Sequence, residues 1–213
     1  MKIGFVGAGN IGQALAGDLV AAGHEVALSN SRGPETLADV VASLGEHAQA
    51  VGTEEAIAFG DLVVVTIPLR AVSDLPAEAF DGRIVVDTCN YYPARDGQIA
   101  ELDDDSLTES ELVARLLPGA RVVKAFNSIF FKHLAEQGDA AAAPGTRRGI
   151  PVASDHPAAK QLVEELIDEI GFDFVDAGPL AAGRDFQNGA DLYGAELTGD
   201  ALAAALGRTE APG

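Results

Sequence analysis

Residues 2–32 read KIGFVGAGNIGQALAGDLVAAGHEVALSNSR, and this stretch decides the fold. The apolar run at its start is typical of a parallel strand that is buried on both faces. The glycine turn G-A-G-N-I-G follows at 7–12. Apolar residues at helical spacing then predict a helix to about Ala22, ended by Gly23, and a second strand is predicted at 25–29. This order indicates a dinucleotide-binding βαβ unit rather than a glycine turn without a ligand.

Each glycine of the turn has a separate physical role in such a unit. Gly7 allows a tight exit from the strand, Gly9 leaves room for a pyrophosphate, and Gly12 lets the helix pack close to the strand. The helix then directs free N–H groups and the positive end of its dipole toward the phosphates. We therefore expect a pyrophosphate to bind at this turn.

The second predicted strand ends in Asn30-Ser31-Arg32 rather than in a carboxylate. A carboxylate at this point would accept hydrogen bonds from the ribose of NAD. An amide, a hydroxyl and a guanidinium suit the extra phosphate of NADP instead, and arginine can hold a phosphate through two parallel hydrogen bonds. The sequence therefore favours NADP over NAD, with a solvated loop arginine as the alternative interpretation of Arg32.

Composition limits the classes of partner. The 213 residues include 33 Asp and Glu against 14 Lys and Arg, and the formal net charge is −19. This acidity argues against a nucleic-acid or membrane-surface partner, since both are anionic.

No apolar run is long enough to span a bilayer and no signal peptide is visible, so we expect a cytoplasmic protein. The single cysteine, Cys89, excludes an internal disulfide and a cysteine-based metal cluster, and we expect a packed residue rather than a reactive thiol.

Strand and helix patterns alternate along the rest of the chain, which indicates an α/β fold with a doubly wound, mainly parallel sheet of Rossmann type. Further helices are expected at 34–44, 53–59 (capped by Thr53), from the Thr108 capping box to Pro118, and at 155–170. Further strands are expected at 48–51, 61–67, 83–87, 121–126, 150–154 and 172–175. We expect a single domain over 1–213, with a dinucleotide-binding core at 1–127 and an extension of the same domain at 128–213.

Two segments before the last predicted strands lack a regular pattern. The first, 91–107, contains three consecutive aspartates at 103–105, which we interpret as part of a solvated loop rather than as a metal site. The second, 138–149, contains Arg147 and Arg148, and we expect it to cover or border the ligand cleft.

Ligands of open α/β sheets bind beyond the carboxyl ends of the strands. Thr66 and Pro68 lie at the carboxyl end of one predicted strand, where they can form a rigid surface beside a ribose and a nicotinamide. Asn90 and Asn127 follow two other predicted strands and can orient a carboxamide or a substrate carbonyl, with turn formation as the alternative role. These two asparagines and His133 are the catalytic candidates, since no set of nucleophile, base and orienting residue is visible. That absence suits hydride transfer between two bound cofactors, which depends mainly on orientation.

Five motifs occur in order along the chain: GFVGAGNIG (4–12), SNSRGPE (29–35), VVTIP (64–68), VVDTCNYY (85–92) and VVKAFNSI (122–129). Together they resemble the coenzyme F420-dependent NADP reductase family, a group that also contains the reductase domain of the STEAP metalloreductases. It is related to the N-terminal domain of pyrroline-5-carboxylate reductases. The resemblance covers about residues 1–175. It implies a Rossmann-type domain that binds NADPH and exchanges a hydride with a deazaflavin or flavin.

The resemblance also implies residue roles. The pyrophosphate would be held by the turn residues Gly7, Ala8, Gly9, Asn10, Ile11 and Gly12. The 2′-phosphate would lie against Ser31 and Arg32, beside Asn30. The nicotinamide side would be lined by Thr66, Ile67, Pro68, Asn90, Ala125 and Asn127.

The second substrate stays open at this point. The long segment after Tyr91-Tyr92-Pro93 differs from the shorter loops expected in F420 enzymes, and no basic patch is visible for the polyglutamate tail of F420. F420, FMN and FAD are therefore all candidates. Two other functions also remain: a pyrroline-carboxylate-type imine or carbonyl reductase, and a non-catalytic NADPH-binding redox sensor. A homodimer is the candidate assembly, because small Rossmann reductases commonly complete a site across a dimer.

Overall fold

The computed structural model describes residues 1–207 and contains an eight-stranded sheet. Residues 208–213, the end of the domain predicted over 1–213, lie outside the described residues. The strands are β1 (Lys2–Val6), β2 (Glu25–Ser29), β3 (Ala48–Ala50), β4 (Leu62–Val65), β5 (Ile84–Asp87), β6 (Arg121–Lys124), β7 (Gly149–Ala153) and β8 (Asp173–Gly178). Their spatial order is β3-β2-β1-β4-β5-β6-β7-β8. The order reverses between β1 and β4, as in a doubly wound sheet, and confirms the predicted fold class.

All neighbouring strands run parallel except β6 and β7, which are antiparallel and pair through Lys124 and Ala153. The residues after 127 therefore extend the same sheet by β7 and β8. The helices are α1 (Asn10–Ala21), α2 (Ala38–Leu44), α3 (Thr53–Phe59), α4 (Pro93–Asp96), α5 (Ala100–Asp103), α6 (Glu109–Leu116), α7 (Phe131–Gln137), α8 (Pro157–Glu169) and α9 (Gly199–Ala205). Short 3₁₀ helices lie at 34–37, 69–74, 77–80 and 180–185.

The hydrophobic core lies on both faces of the sheet, which explains the continuous apolar strands. In β4 the side chains alternate between the two faces: Val64 packs in one core cluster with residues of α1 and α8, and Val63 packs in the other with residues of α6. Both valines are buried. Burial of such a side chain contributes about 1.5–3 kcal/mol, so the strand is held from both sides.

Two local predictions need correction. Thr53 does not cap α3 but is its first residue, because extended Gly52 occupies the cap position and its N–H donates to Glu55 Oε2 at 2.9 Å.

The segment 91–107 is not irregular throughout, since it contains α4 and α5. It folds around the Tyr91 hydroxyl, which accepts from the Ile99 N–H at 2.9 Å and lies 2.8 Å from Asp103 Oδ1. The aspartates at 103–105 are exposed, as predicted.

The capping box before α6 is confirmed. Thr108 Oγ1 accepts from the Glu111 N–H at 3.2 Å, and Glu111 Oε2 accepts from the Thr108 N–H at 2.8 Å. This reciprocal pair satisfies two backbone donors that a helix start would leave free. It also fixes the position of the next residue, Glu109, whose buried side chain reaches beneath the site described below.

Candidate functional site

The carboxyl ends of five strands lie level at one edge of the sheet. Val6 pairs with Ser29 and with Val65, Val65 pairs with Asp87, and Asp87 pairs with Lys124. Neighbouring strands are about 4.8 Å apart, so these ends form a row of about 19 Å from β2 to β6. The segments that follow all leave the sheet along this row, at 30–32, 7–12, 66–68, 88–90 and 125–127.

The glycine turn leaves open space where a pyrophosphate would lie. Gly7 has φ +108°, and a Cβ there would meet Thr66 O at 2.3 Å; a Cβ at Gly12 would meet Gly7 O at 2.8 Å. At Gly9 a Cβ would meet nothing within 4 Å. The helix α1 starts directly after Gly9 with no side-chain cap and no acidic residue in its first turn. Its free N–H groups and positive dipole end therefore fit an anionic group.

The loop after β2 is held in one conformation by Asn30. Its Oδ1 accepts from the Arg32 N–H at 2.9 Å, and its Nδ2 donates to Thr36 Oγ1 at 2.9 Å. Ser31 and Arg32 are exposed, and within residues 1–207 the Arg32 guanidinium makes no hydrogen bond or ion pair. The Asn30 amide is thus engaged within the loop, and two unengaged side chains, a hydroxyl and a guanidinium, fit a phosphate group.

A cleft of about 460 Å³ lies along the strand ends. Seven of the predicted site residues line it: Asn10, Ile11, Thr66, Ile67, Pro68, Asn90 and Asn127. The other lining residues are Thr88, Cys89, Tyr92, Arg95, Ser128, Ile129, Phe130, Phe131, Tyr193 and Gly194. The aromatic side chains of this second group, and the segment that carries Tyr193, were missed by the sequence analysis.

The two asparagines hold each other in the cleft. Asn90 Nδ2 donates to Asn127 O at 2.8 Å, and Asn127 Nδ2 donates to Asn90 Oδ1 at 3.3 Å and to Phe186 O at 2.9 Å. Asn127 is only 4% exposed, and its Oδ1 has no hydrogen-bond partner within the described chain. A buried acceptor left unpaired costs about 1–3 kcal/mol, so this oxygen fits a ligand that brings an N–H donor, such as a carboxamide.

Two predicted site residues lie elsewhere. Ala125 is fully buried and packs in the same core cluster as Val123, two residues earlier on the same face, so its side chain does not line the cleft. His133 lies on α7, where its Nδ1 is 3.7 Å from Glu196 Oε1 and its ring centroid is 5.5 Å from that of Phe130. The predictions that Ala125 lines the nicotinamide side and that His133 is a catalytic candidate are not supported by this arrangement.

A buried ion pair lies beneath the cleft. Lys124 is fully buried, and its Nζ is 3.0 Å from Glu109 Oε2 and 3.5 Å from Cys89 O. Glu109 Oε1 accepts from the Tyr91 N–H at 2.7 Å. Burial raises the pKa of Glu109, an effect that the positive charge of Lys124 opposes. The pair therefore ties the end of β6 to the segment that leaves β5, and a lysine inside the apolar run VVKAF was the signal available in the sequence.

Asp87 is a second buried carboxylate beneath the cleft. It accepts hydrogen bonds from the Ser110 hydroxyl and, at 2.9 Å, from the Cys89 N–H. Cys89 is 2% exposed, and burial raises the pKa of its thiol well above the usual value, with a further contribution from the charge of Asp87. Cys89 is thus a packed residue, as predicted.

The segment 138–149 does not border the cleft, contrary to the prediction. Arg147 instead forms ion pairs with Asp168 at 2.8 Å and Asp173 at 3.3 Å. It lines a larger, acidic hollow of about 950 Å³ between α8, β8 and α9. From the chain after β8, Tyr193 and Gly194 contribute to the lining of the cleft at the strand ends.

Within residues 1–207, no helix combines the length and apolar character needed to cross a membrane. Across the same residues, no three His, Cys, Asp or Glu side chains are grouped so that they could hold a metal ion.

Comparison with known proteins places these features in a family. The model of the family described as NADP oxidoreductase, coenzyme F420-dependent, matches residues 2–91. A hypothetical protein from Sinorhizobium meliloti is 33% identical, with 93% of this chain and 95% of that chain covered and a TM-score of 0.81. A protein from Arthrobacter sp. FB24 described as an F420-dependent NADP reductase is 27% identical, with 86% and 87% covered and a TM-score of 0.72.

A curated relative extends the comparison to a larger protein. Metalloreductase STEAP3 from Rattus norvegicus is 31% identical over 188 residues, which make up 87% of this chain and 36% of that protein. The chain therefore spans about a third of the length of this relative.

Proposed function

This chain belongs to the family of coenzyme F420-dependent NADP oxidoreductases, and from that premise we propose that it transfers a hydride between NADP(H) and a deazaflavin or flavin-type acceptor. The acceptor would be F420, FMN or FAD. The observation that carries the proposal is the unpaired Oδ1 of Asn127, buried in a cleft that continues to the glycine turn. An NADP molecule would place its nicotinamide carboxamide at one end of this row of strand ends and its 2′-phosphate at the other.

The residues present fit the parts of NADP(H). Bound NADPH would supply the hydride from its nicotinamide ring. The backbone N–H groups of 7–12 would bind the pyrophosphate, and Ser31 with Arg32 would bind the 2′-phosphate. Asn127 Oδ1 would accept a hydrogen bond from the carboxamide and so orient the ring, while Thr66 and Pro68 would flank it.

The cleft is suited to hydride transfer without strong acid or base catalysis. Among the described residues that line it there is no carboxylate and no histidine. The Cys89 thiol, with its raised pKa, stays protonated at neutral pH. The contribution of the chain would therefore be to orient two ring systems and to exclude water between them.

Steady-state oxidation of NADPH with F420, FMN, FAD, a ferric chelate and a cyclic imine tests the proposal. We expect turnover with at least one of the three ring acceptors. No turnover with any acceptor, combined with tight NADPH binding, would overturn the proposal and favour a redox sensor. Turnover restricted to cyclic imines would favour the pyrroline-carboxylate-type reductase.

The role of Asn127 can be tested separately. Asn127→Leu should lower kcat/KM with NADPH about 10- to 100-fold, as expected when one hydrogen bond to the cofactor is lost. The matched control is the 3-acetylpyridine analogue of the cofactor, which lacks the amide N–H donor. The variant and the wild type should differ little with this analogue, and an equal loss with both cofactors would contradict the assigned hydrogen bond.

A further inference from the structure

The tyrosines of this chain are concentrated at one place. The sequence contains three, and two of them, Tyr92 and Tyr193, line the cleft, while Tyr91 anchors the segment beside it. Phe130 and Phe131 line the same cleft, and Phe130 is 52% exposed. Exposed aromatic rings at the mouth of a cleft offer flat apolar faces on which another planar ring can stack.

The Tyr92 and Tyr193 hydroxyls form a bridge at 2.7 Å, although the residues are 101 positions apart. Tyr92 is held from its own segment, because the Arg95 guanidinium carbon lies 4.8 Å from the Tyr92 ring centroid. Arg95 in turn donates to Asn90 O at 2.6 Å and forms an ion pair with Asp96 at 2.8 Å. One half of the bridge is therefore fixed to the exit of β5.

The other half of the bridge is fixed through the segment before Tyr193. Asn188 Nδ2 donates to Tyr91 O at 2.7 Å, and the Glu109 N–H donates to Gln187 Oε1 at 3.2 Å. Burial raises the pKa of Tyr193, and the hydrogen bond to Tyr92 adds to this effect. Tyr193 therefore stays protonated at neutral pH, and the bridge offers aromatic surface and an uncharged hydrogen bond.

We propose that the Tyr92–Tyr193 bridge, together with Phe130, forms the acceptor subsite and recognises an uncharged planar heteroaromatic ring rather than an anionic tail. This inference rests on the proposed hydride transfer and names the residues that select its acceptor. Arg95 is the only cation among the described residues lining the cleft, and Asp96 already neutralises it. The subsite thus holds the ring of a flavin-type acceptor by stacking, with little contribution from a phosphate or a carboxylate tail.

The test measures binding of riboflavin and FMN to the protein saturated with NADP⁺, by quenching of flavin fluorescence. The Kd values of the wild type for riboflavin and for FMN should agree within about threefold, because the subsite makes little contact with the phosphate of FMN. Tyr193→Ala should weaken both at least about tenfold, since base–aromatic stacking is lost, and Tyr193→Phe should restore most of the affinity. The matched control is Leu192→Ala, which alters the same segment outside the cleft and should change the Kd of riboflavin less than about twofold.

A turnover measurement separates the subsite from the proposed function. Tyr193→Ala should raise the KM for riboflavin more than it lowers kcat, and the Kd for NADPH should stay unchanged, because Tyr193 lies outside the residues assigned to the cofactor. Each of three results would overturn the subsite. The Kd of riboflavin is unchanged in Tyr193→Ala, FMN binds more than tenfold tighter than riboflavin, or Leu192→Ala weakens riboflavin binding as much as Tyr193→Ala does. Binding that depends on Tyr193, without turnover of any acceptor, would overturn the proposed function and leave the subsite standing.

Discussion

Removal of the buried lysine beneath the cleft should severely destabilise the protein. Lys124→Met leaves Glu109 without its partner in a place where the two side chains are 0% and 3% exposed. Methionine fills a similar volume, so the loss comes from the uncompensated charge rather than from a cavity. Breaking a buried pair by removing one partner costs about 3–5 kcal/mol, a large part of the roughly 5–15 kcal/mol that stabilises a typical domain.

The pH dependence of the variant follows from the remaining carboxyl group. Burial already raises the pKa of Glu109 above its usual value, and loss of Lys124 raises it further. The folded variant then binds a proton more tightly than the unfolded chain does. Its free energy of unfolding should therefore increase as the pH falls from about 8 to 5, and it should decrease again as the pH rises through the folded-state pKa.

Urea unfolding followed by circular dichroism, at pH 8 and pH 5, measures these effects. Lys160→Met is the matched control, because its partner Asp176 is 53% exposed, and we expect a cost of about 1 kcal/mol or less. The double variant Lys124→Met/Glu109→Leu should cost less than the two single variants together. A cost below about 1 kcal/mol for Lys124→Met, or additive effects in the double variant, would refute the reasoning.

Three further predictions concern the cofactor and one isolated carboxyl group. Arg32→Asp should weaken NADPH binding by about 2–3 kcal/mol and leave NADH binding nearly unchanged, measured by fluorescence titration. Gly9→Val should abolish NADPH binding without a change in thermal stability, because Gly9 is in an extended conformation and a Cβ there would meet nothing within 4 Å. Asp18 has a buried, unpaired Oδ2, and burial raises its pKa from 3.8 to about 6. Asp18→Asn should therefore raise the free energy of unfolding above that of the wild type by about 1 kcal/mol at pH 8, a value reduced for partial solvent exposure. This difference should shrink as the pH falls through about 6 toward 4, where Asp18 is protonated in the folded wild type.

Each of these predictions has a contradicting result. Equal wild-type affinity for NADPH and NADH would show that Arg32 is only a solvated loop residue. Full NADPH binding by Gly9→Val would contradict the placement of the pyrophosphate. A difference in the free energy of unfolding between Asp18→Asn and the wild type that stays constant from pH 8 to 4 would show that Asp18 is ionised as easily in the folded chain as in the unfolded one.

Local sequence patterns were sufficient for the elements that build the site. The glycine turn, the valine-rich strands and the Thr108 capping box depend on contacts within a few residues, so their periodicity and spacing reveal them. Predictions failed where contacts with the surrounding structure outweighed the conformational preference of a single residue or segment. Extended Gly52, and not Thr53, occupies the cap position of α3. The segment 91–107 contains two short helices because it folds around the buried Tyr91.

The sequence by itself determined the strand, glycine turn and helix at the start of the chain, because they depend on short-range spacing, and it predicted that Arg32 follows the second strand. The tertiary structure alone decided which distant side chains meet. It paired Lys124 with Glu109, placed the Tyr92–Tyr193 bridge in the lining of the cleft and kept the Arg147 segment away from it. The physical reason is that such contacts depend on strand order and on the path of the chain after β8, and neither leaves a periodic pattern in the sequence.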